Sequence, residues 1–315
     1  MLKLAVPDLV SNSYFPAIAA IELGFFAQEK LEVALELVTP VDKSYHALRE
    51  GAVDFVGGSA HSVLAAFPEW RGARLLAALG QGMYWFLVMH SDLAPRRGDV
   101  SVVKGRRIGA APMVELGLKC LLADCGIDLV RDGVEIAPVP VPAGGGLSFG
   151  VNAARALAAR QIDGFWANGM GAEVAVQSGA GKIVLDVRRG DGPPGAFDYT
   201  FPVLVATDDL VARSPEIAAA AVRAIVNCQN ALKRNADLAT DVGRKLFPAH
   251  EAGLIAGLVA RDLPFYSPVI SVASYDAVNA FSRRMGLLES DPPYADAVAT
   301  GLVAIWDEAI PANAP

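Results

Sequence analysis

Strand and helix signals alternate along this chain from its first residues, and that alternation restricts the fold more than any other feature. Leu2–Val6 is a short apolar run ending at Pro7, and Pro16–Leu23 reads as a helix closed by Gly24. Glu32–Val38 alternates polar and apolar residues as a strand does. Asp42 can cap a helix over Lys43–Glu50, which Gly51 ends. Val53–Val56 reads as a strand, and Gly57-Gly58-Ser59 leads into a predicted helix over Ala60–Phe67. Arg74–Leu79 and Trp85–Met89 are two more predicted strands. Such a βαβαβα order predicts a doubly wound parallel sheet.

The pattern restarts after the Ala94-Pro95-Arg96-Arg97-Gly98 segment. Arg107–Ala111 reads as a strand, and Pro112 opens a helix with apolar residues at 114, 118, 121, 122 and 125, stopping at Gly126. Val134–Val141 is extended, Val151–Arg160 helical, Asp163–Trp166 a strand, Ala172–Gln177 a helix, and Lys182–Val187 and Phe201–Ala206 strands. From Ser214 onward the chain reads as helix after helix. The two passes echo each other. Ala47–Phe55 matches Ala156–Gly164 in pattern, and Val6-Pro7 corresponds to Ala111-Pro112. Two similar α/β lobes with a helical C-terminal region are expected.

Composition excludes several classes. Of 315 residues, 53% are hydrophobic and 19% charged, so wholesale disorder is ruled out. A net charge of −7 argues against nucleic acid and anionic membrane surfaces as partners. The longest uncharged stretch, Ile136–Ala154, holds three prolines and four glycines and cannot span a bilayer. No direct membrane insertion is expected. No leader precedes the first strand, so an extracytoplasmic site would require a leader already removed, and the cytoplasm is the expectation otherwise. Cys120, Cys125 and Cys228 sit in apolar helical patterns and read as buried small hydrophobes.

Two segments carry a family resemblance: Tyr14-Phe15-Pro16-Ala17-Ile18-Ala19-Ala20-Ile21-Glu22-Leu23-Gly24-Phe25-Phe26 and Leu48-Arg49-Glu50-Gly51-Ala52-Val53-Asp54-Phe55-Val56-Gly57-Gly58. With Leu157–Trp166 and Ser214-Pro215-Glu216, they resemble the substrate-binding proteins of ABC importers for sulfonates, taurine and nitrate, and the related thiamine-precursor-binding (NMT1/THI5-like) proteins. The likeness covers roughly residues 1–235. It implies a type II periplasmic binding protein: two doubly wound α/β lobes joined by a hinge that the chain crosses twice. Residues 1–89 plus 200–315 would form one lobe and 90–199 the other, with crossings near Met89–Arg97 and Asp198–Pro202. A small polar organic ligand would bind between the lobes, and a membrane permease would be the partner of a monomeric carrier.

In that fold each lobe aims helix N-termini into a cleft, where backbone N–H groups bind polar or anionic ligands. The candidate loops are Asp8–Tyr14, Gly57–His61, Gln81–Trp85, Ala110–Val114, Trp166–Gly169 and Asp198–Phe201. Their candidate ligand-binding residues are Ser11, Asn12, Ser13, Tyr14, Ser59, His61, Tyr84, Trp85, Met113, Trp166, Asn168 and Tyr199, with Asp198 a further polar member. Ser59 also suits a helix N-cap. His61, in a helix's first turn, should be neutral and able to donate to a ligand oxygen. Asp54 and Asp163 end matching helix–strand turns and read as turn residues. The named loops hold no Arg or Lys, which argues against a doubly charged ligand.

Catalytic patterns find less support. Gly146-Leu147-Ser148-Phe149-Gly150 fits the G-x-S-x-G nucleophile elbow, but Pro142-Ala143-Gly144-Gly145 makes a loose loop before it, and no His-Gly-Gly-Gly segment exists. Ser148 is better read as the N-cap of the following helix. Gly179-Ala180-Gly181-Lys182 lacks the rest of a P-loop, and four scattered histidines give no metal site. No cofactor is expected. Aromatic sulfinate desulfinases resemble these binding proteins but add a cysteine in the first loop, with His and Arg nearby. Here His61 and Arg71 are the candidates for that pair, but Ser11-Asn12-Ser13 holds no Cys. The cysteine-rich segment of related iron-dependent pyrimidine synthases is also missing. A decarboxylase or a cytosolic ligand sensor on the same fold remains the alternative.

Overall fold

A computed structural model describes residues 1–140 and 148–307. Among the described residues, ten strands form two five-stranded sheets. The first contains β1 (Leu2–Val6), β2 (Val33–Leu37), β3 (Phe55–Ser59), β4 (Ala73–Ala78) and β10 (Pro202–Thr207), in the order β2-β1-β3-β10-β4. The second contains β5 (Phe86–His90), β6 (Arg107–Ala110), β7 (Glu135–Ala137), β8 (Gly164–Ala167) and β9 (Gly181–Asp186), in the order β7-β6-β8-β5-β9. The two orders are the same pattern, so the expected two-lobed α/β architecture is present. The repeat reaches single residues. Asp54 Oδ2 accepts from the Lys3 amide at 2.7 Å, and Asp163 Oδ2 accepts from the Arg107 amide at 2.8 Å. Both aspartates are the turn residues their spacing predicted.

Neither sheet is wholly parallel. β10 runs antiparallel to β3 and β4, and β5 runs antiparallel to β8 and β9. The cause is the crossing itself. β4 ends at the cleft, the chain passes to the other lobe, and β5 must then start at the cleft and run away from it. β10 returns in the same way. The first crossing is therefore the stretch 79–85, between β4 and β5, and not Met89–Arg97. The expected division at 89 falls inside a strand of the second sheet. Trp85–Met89 is a continuous apolar run, and such a run carries no sign of its direction or its sheet.

The helices cover both sheets. α1 (Phe15–Glu22), α2 (Phe25–Gln28) and α3 (Val41–Arg49) belong to the first lobe. α4 (Val114–Asp124), α5 (Phe149–Ala158) and α6 (Gly169–Gln177) belong to the second. α7 (Asp208–Arg213), α8 (Pro215–Arg234), α9 (Leu238–Leu246), α10 (Ala249–Asp262), α11 (Val272–Arg284), α12 (Tyr294–Ala297) and α13 (Val303–Trp306) make the helical C-terminal region. It packs on the first sheet, where Trp306 donates its indole N–H to the Leu76 carbonyl at 3.0 Å. No described helix is long and apolar enough to cross a membrane. The helix expected over Ala60–Phe67 is instead a 3₁₀ segment, Ala60–Ala65.

Candidate functional site

Between the sheets lies a cavity of about 350 Å³, within the roughly 300–1,000 Å³ usual for small-ligand pockets. Its wall comes from the carboxyl ends of equivalent strands in both lobes, the usual ligand position in open α/β sheets. Pro7 and Asp8 follow β1, while Ala111 and Pro112 follow β6. Thr39, Pro40 and Val41 lie beyond β2, and Pro138 and Val139 beyond β7. Ala167 and Asn168 lie at the end of β8. Tyr14, Val41, Val114, Phe149 and Asn168 on this wall stand at the starts of α1, α3, α4, α5 and α6.

Asp8 is the only ionisable residue on the described wall apart from the Tyr14 phenol. It is buried, and its Oδ2 accepts from Ser148 Oγ at 3.0 Å and from Asn168 Nδ2 at 2.9 Å. Among the described residues, its Oδ1 and the hydroxyl of neighbouring Ser13 are buried without hydrogen-bond partners. Burial pushes the Asp8 carboxyl up to about 7, against the pull of Ser148, the Gly150 and Phe149 amides, and Asn168. Both side chains that reach Asp8 are also helix caps. Ser148 accepts from the Val151 amide at 3.3 Å, as expected of an N-cap, and Asn168 accepts from the Gly171 amide at 3.0 Å. Gly171 makes this convergence possible: a Cβ there would lie 2.5 Å from the Gly150 carbonyl oxygen, so only glycine lets α5 and α6 start this close together.

Four predicted residues line the cavity: Ser13, Tyr14, Trp85 and Asn168. Trp85 sits on the first crossing. Behind it Trp166 packs at 6.1 Å and Tyr84 at 5.0 Å between ring centroids, and Tyr84 donates to the Tyr14 hydroxyl at 3.0 Å. Tyr84 and Trp166 thus support the aromatic wall from within the core.

The other predicted residues have different work. Ser11 accepts from the Ser13 amide at 3.0 Å and holds the first loop. Asn12 ties the lobes, donating to Asp262 at 2.7 Å and accepting from the Met170 amide at 3.1 Å. Ser59 makes no cap; its hydroxyl pairs with Ser62 at 2.6 Å. Tyr199 stacks on Phe281 at 5.1 Å and hydrogen-bonds Asp124, while Asp198 is exposed.

His61 is corrected most sharply. It is fully buried and off the wall, with both ring nitrogens engaged by protein. Nε2 donates to the Met113 carbonyl at 3.0 Å, which leaves Nδ1 to accept from the Thr200 hydroxyl at 3.0 Å. Met113 contributes that carbonyl, at a left-handed backbone position (φ 67°), and its side chain does not line the cavity. His61 is neutral, as expected, but the cause is burial, which lowers it to about 4.

No Ser–His or Cys–His pair borders the cavity among the described residues. Arg71 is exposed and lines a separate polar depression with Glu69 and Asp208, far from pairing with His61. None of the three cysteines lines the cavity; Cys120 and Cys228 are buried as predicted, and Cys125 is exposed. Gly146 and Leu147 of the elbow motif lie outside the described residues. Sequence reasoning named the loop Asp8–Tyr14 but not Asp8 itself, and it missed Thr39–Val41, Pro138, Val139 and Phe149. The one available signal was the Pro7/Pro112 echo, which marks equivalent strand ends in the two lobes.

Residues 11–237 match the protein family described as NMT1/THI5 like. The fold is similar to that of a Bordetella bronchiseptica RB50 protein, at 21% identity and TM-score 0.72 over 95% of this chain and 94% of that one. It is also similar to the alkanesulfonate-binding protein SsuA from Xanthomonas axonopodis pv. citri bound to MOPS, at 15% identity and TM-score 0.68 over 96% of each chain. A desulfurization enzyme, DSZB, is similar too, at 14% identity and TM-score 0.64 over 96% of this chain and 98% of that one. No curated protein matches the chain.

Proposed function

The chain belongs to the NMT1/THI5-like family, and from that premise we propose that it binds a small organic molecule between its lobes and delivers it to the permease of an ABC importer. The observation that carries this reading is the cavity, walled by equivalent strand ends of both lobes and lacking a Ser–His or Cys–His pair among the described residues. Asp8, Asn12 and His61 join the lobes around it through hydrogen bonds. Ligand contacts to both lobes would favour this closed arrangement over an open one, and the closed form is what a transporter would recognise. Such a carrier works outside the cytoplasm.

The alternative is an enzyme on this scaffold, as the likeness to DSZB illustrates. One observation favours it: a carboxyl held near 7 suits proton transfer. A chemical library screened by thermal shift separates the readings. A ligand at 100 times its Kd adds about 2.7 kcal/mol of stability. Carrier function predicts a smaller radius of gyration by solution scattering when the ligand binds, and recovery of the ligand unchanged by mass spectrometry. A converted ligand, or tight binding with no change in shape, would overturn it.

A further inference from the structure

Resting on the binding reading above, we propose that the cavity takes a compact, mostly apolar ring compound presenting an N–H donor, neutral or cationic, and discriminates against carboxylates and sulfonates of the same size. Helix N-termini ordinarily attract anions, and five helices of eight or more residues begin on this wall. In this chain those termini are already supplied with carboxylates of its own. The starts of α5 and α6 converge on Asp8 through Ser148 and Asn168. The first turn of α3 carries Asp42, and the first turn of α4 carries Glu115. Among the described residues, Asp42 Oδ1 and Glu115 Oε2 are themselves buried without hydrogen-bond partners.

No cation balances an anionic guest. No Lys, Arg or His lines the cavity among the described residues, and residues 141–147 contain none in sequence. At pH 8, above the folded value of Asp8, a carboxylate or sulfonate would lie against an ionised Asp8 in an apolar enclosure, where like charges repel strongly. Among the described residues no donor reaches Asp8 Oδ1 in hydrogen-bonding geometry, and the Ser13 hydroxyl has no partner. A guest N–H satisfies the first, and the Ser13 hydroxyl can complete the contact as donor or acceptor. Tyr14, Trp85 and Phe149 supply flat apolar surface for the rest of a ring.

Ring-matched probes test this directly. Benzamidine, benzylamine, benzoate and benzenesulfonate are titrated calorimetrically at pH 8, where Asp8 is ionised, into the wild type and into Asp8→Asn. The asparagine carbonyl can still accept from Ser148 and Asn168, while its amide group presents N–H where the unpartnered oxygen was. The wild type is expected to bind benzamidine roughly tenfold or more tightly than benzoate, and Asp8→Asn to lose or reverse that preference. The wild-type order stands as a test by itself should circular dichroism show the variant unfolded. If benzoate or benzenesulfonate binds the wild type as tightly as benzamidine, the inference falls while the binding reading stands. Binding of none of the four also overturns it, and the separate library screen then decides the binding reading.

Discussion

Asp8→Asn should also change how stability depends on pH, in a direction fixed by the burial of this carboxyl. The group ionises ordinarily at 3.8 and is pushed up to about 7 in the folded protein. Below pH 3.8 both folded and unfolded chains hold the proton, and the Asp8 contribution is fully present. Between 3.8 and 7 the unfolded chain releases its proton while the folded one keeps it, so stability falls as pH rises. Above 7 the loss is complete. About three pH units separate the two values, and each is worth about 1.36 kcal/mol, so the loss is about 4 kcal/mol. Tyr14, the titratable neighbour of Asp8, stays protonated throughout because burial raises it well above its ordinary value. Asparagine has no such dependence. The stability difference, wild type minus Asp8→Asn, should therefore fall by about 3 kcal/mol from pH 4 to pH 7. Urea unfolding followed by circular dichroism at four pH values measures it. A difference that stays constant would mean that Asp8 is not held in the uncompensated burial described here.

His61 should show the opposite slope. Its folded value of about 4 lies below the ordinary 6.5, so its contribution is present above pH 6.5 and is lost on acidification toward 4, by about 3 kcal/mol. His61→Gln should remove that loss, and His61→Ala should cost roughly 1–3 kcal/mol by stranding the half-buried Met113 carbonyl; an Ala variant as stable as wild type would refute the bridging role. Ser148→Ala removes both a cap and a donor to Asp8, and should cost about 2–3 kcal/mol in urea unfolding. Wild-type Ser148 should resist fluorophosphonate labelling, because no histidine hydrogen-bonds it to serve as a base; covalent labelling would reopen the hydrolase reading.

Local signals made much of this fold legible. Alternating runs and glycine stops marked the strands and helices, and the Asp54/Asp163 echo marked the two lobes. Strand direction was not legible, because β5 and β10 are apolar runs that look alike in either orientation. At the site, Tyr14 and Trp85 were found as aromatic residues in cleft loops, and Asn168 as a polar cap. Asp8 escaped because an aspartate after Val6-Pro7 looks like any turn residue. What distinguishes it is a partnership with Ser148 and Asn168, which lie 140 and 160 residues away. His61 misled for the same reason: its place at a helix start was visible, whereas Met113 and Thr200, which engage both its nitrogens, were not.

The exchange of β5 and β10 between the halves has a consequence for the order of assembly during synthesis. The second sheet is built from one continuous run, β5 to β9, and every strand it needs has been made by Asp186. The first sheet starts at Leu2, but β4 reaches β3 only through β10, which ends at Thr207. A chain emerging N-terminus first therefore carries β4 with an unpaired edge while the later lobe closes. The sheet begun first is finished last, and the crossing at residues 79–85 that walls the cavity with Trp85 joins a completed lobe to one still waiting for its fifth strand.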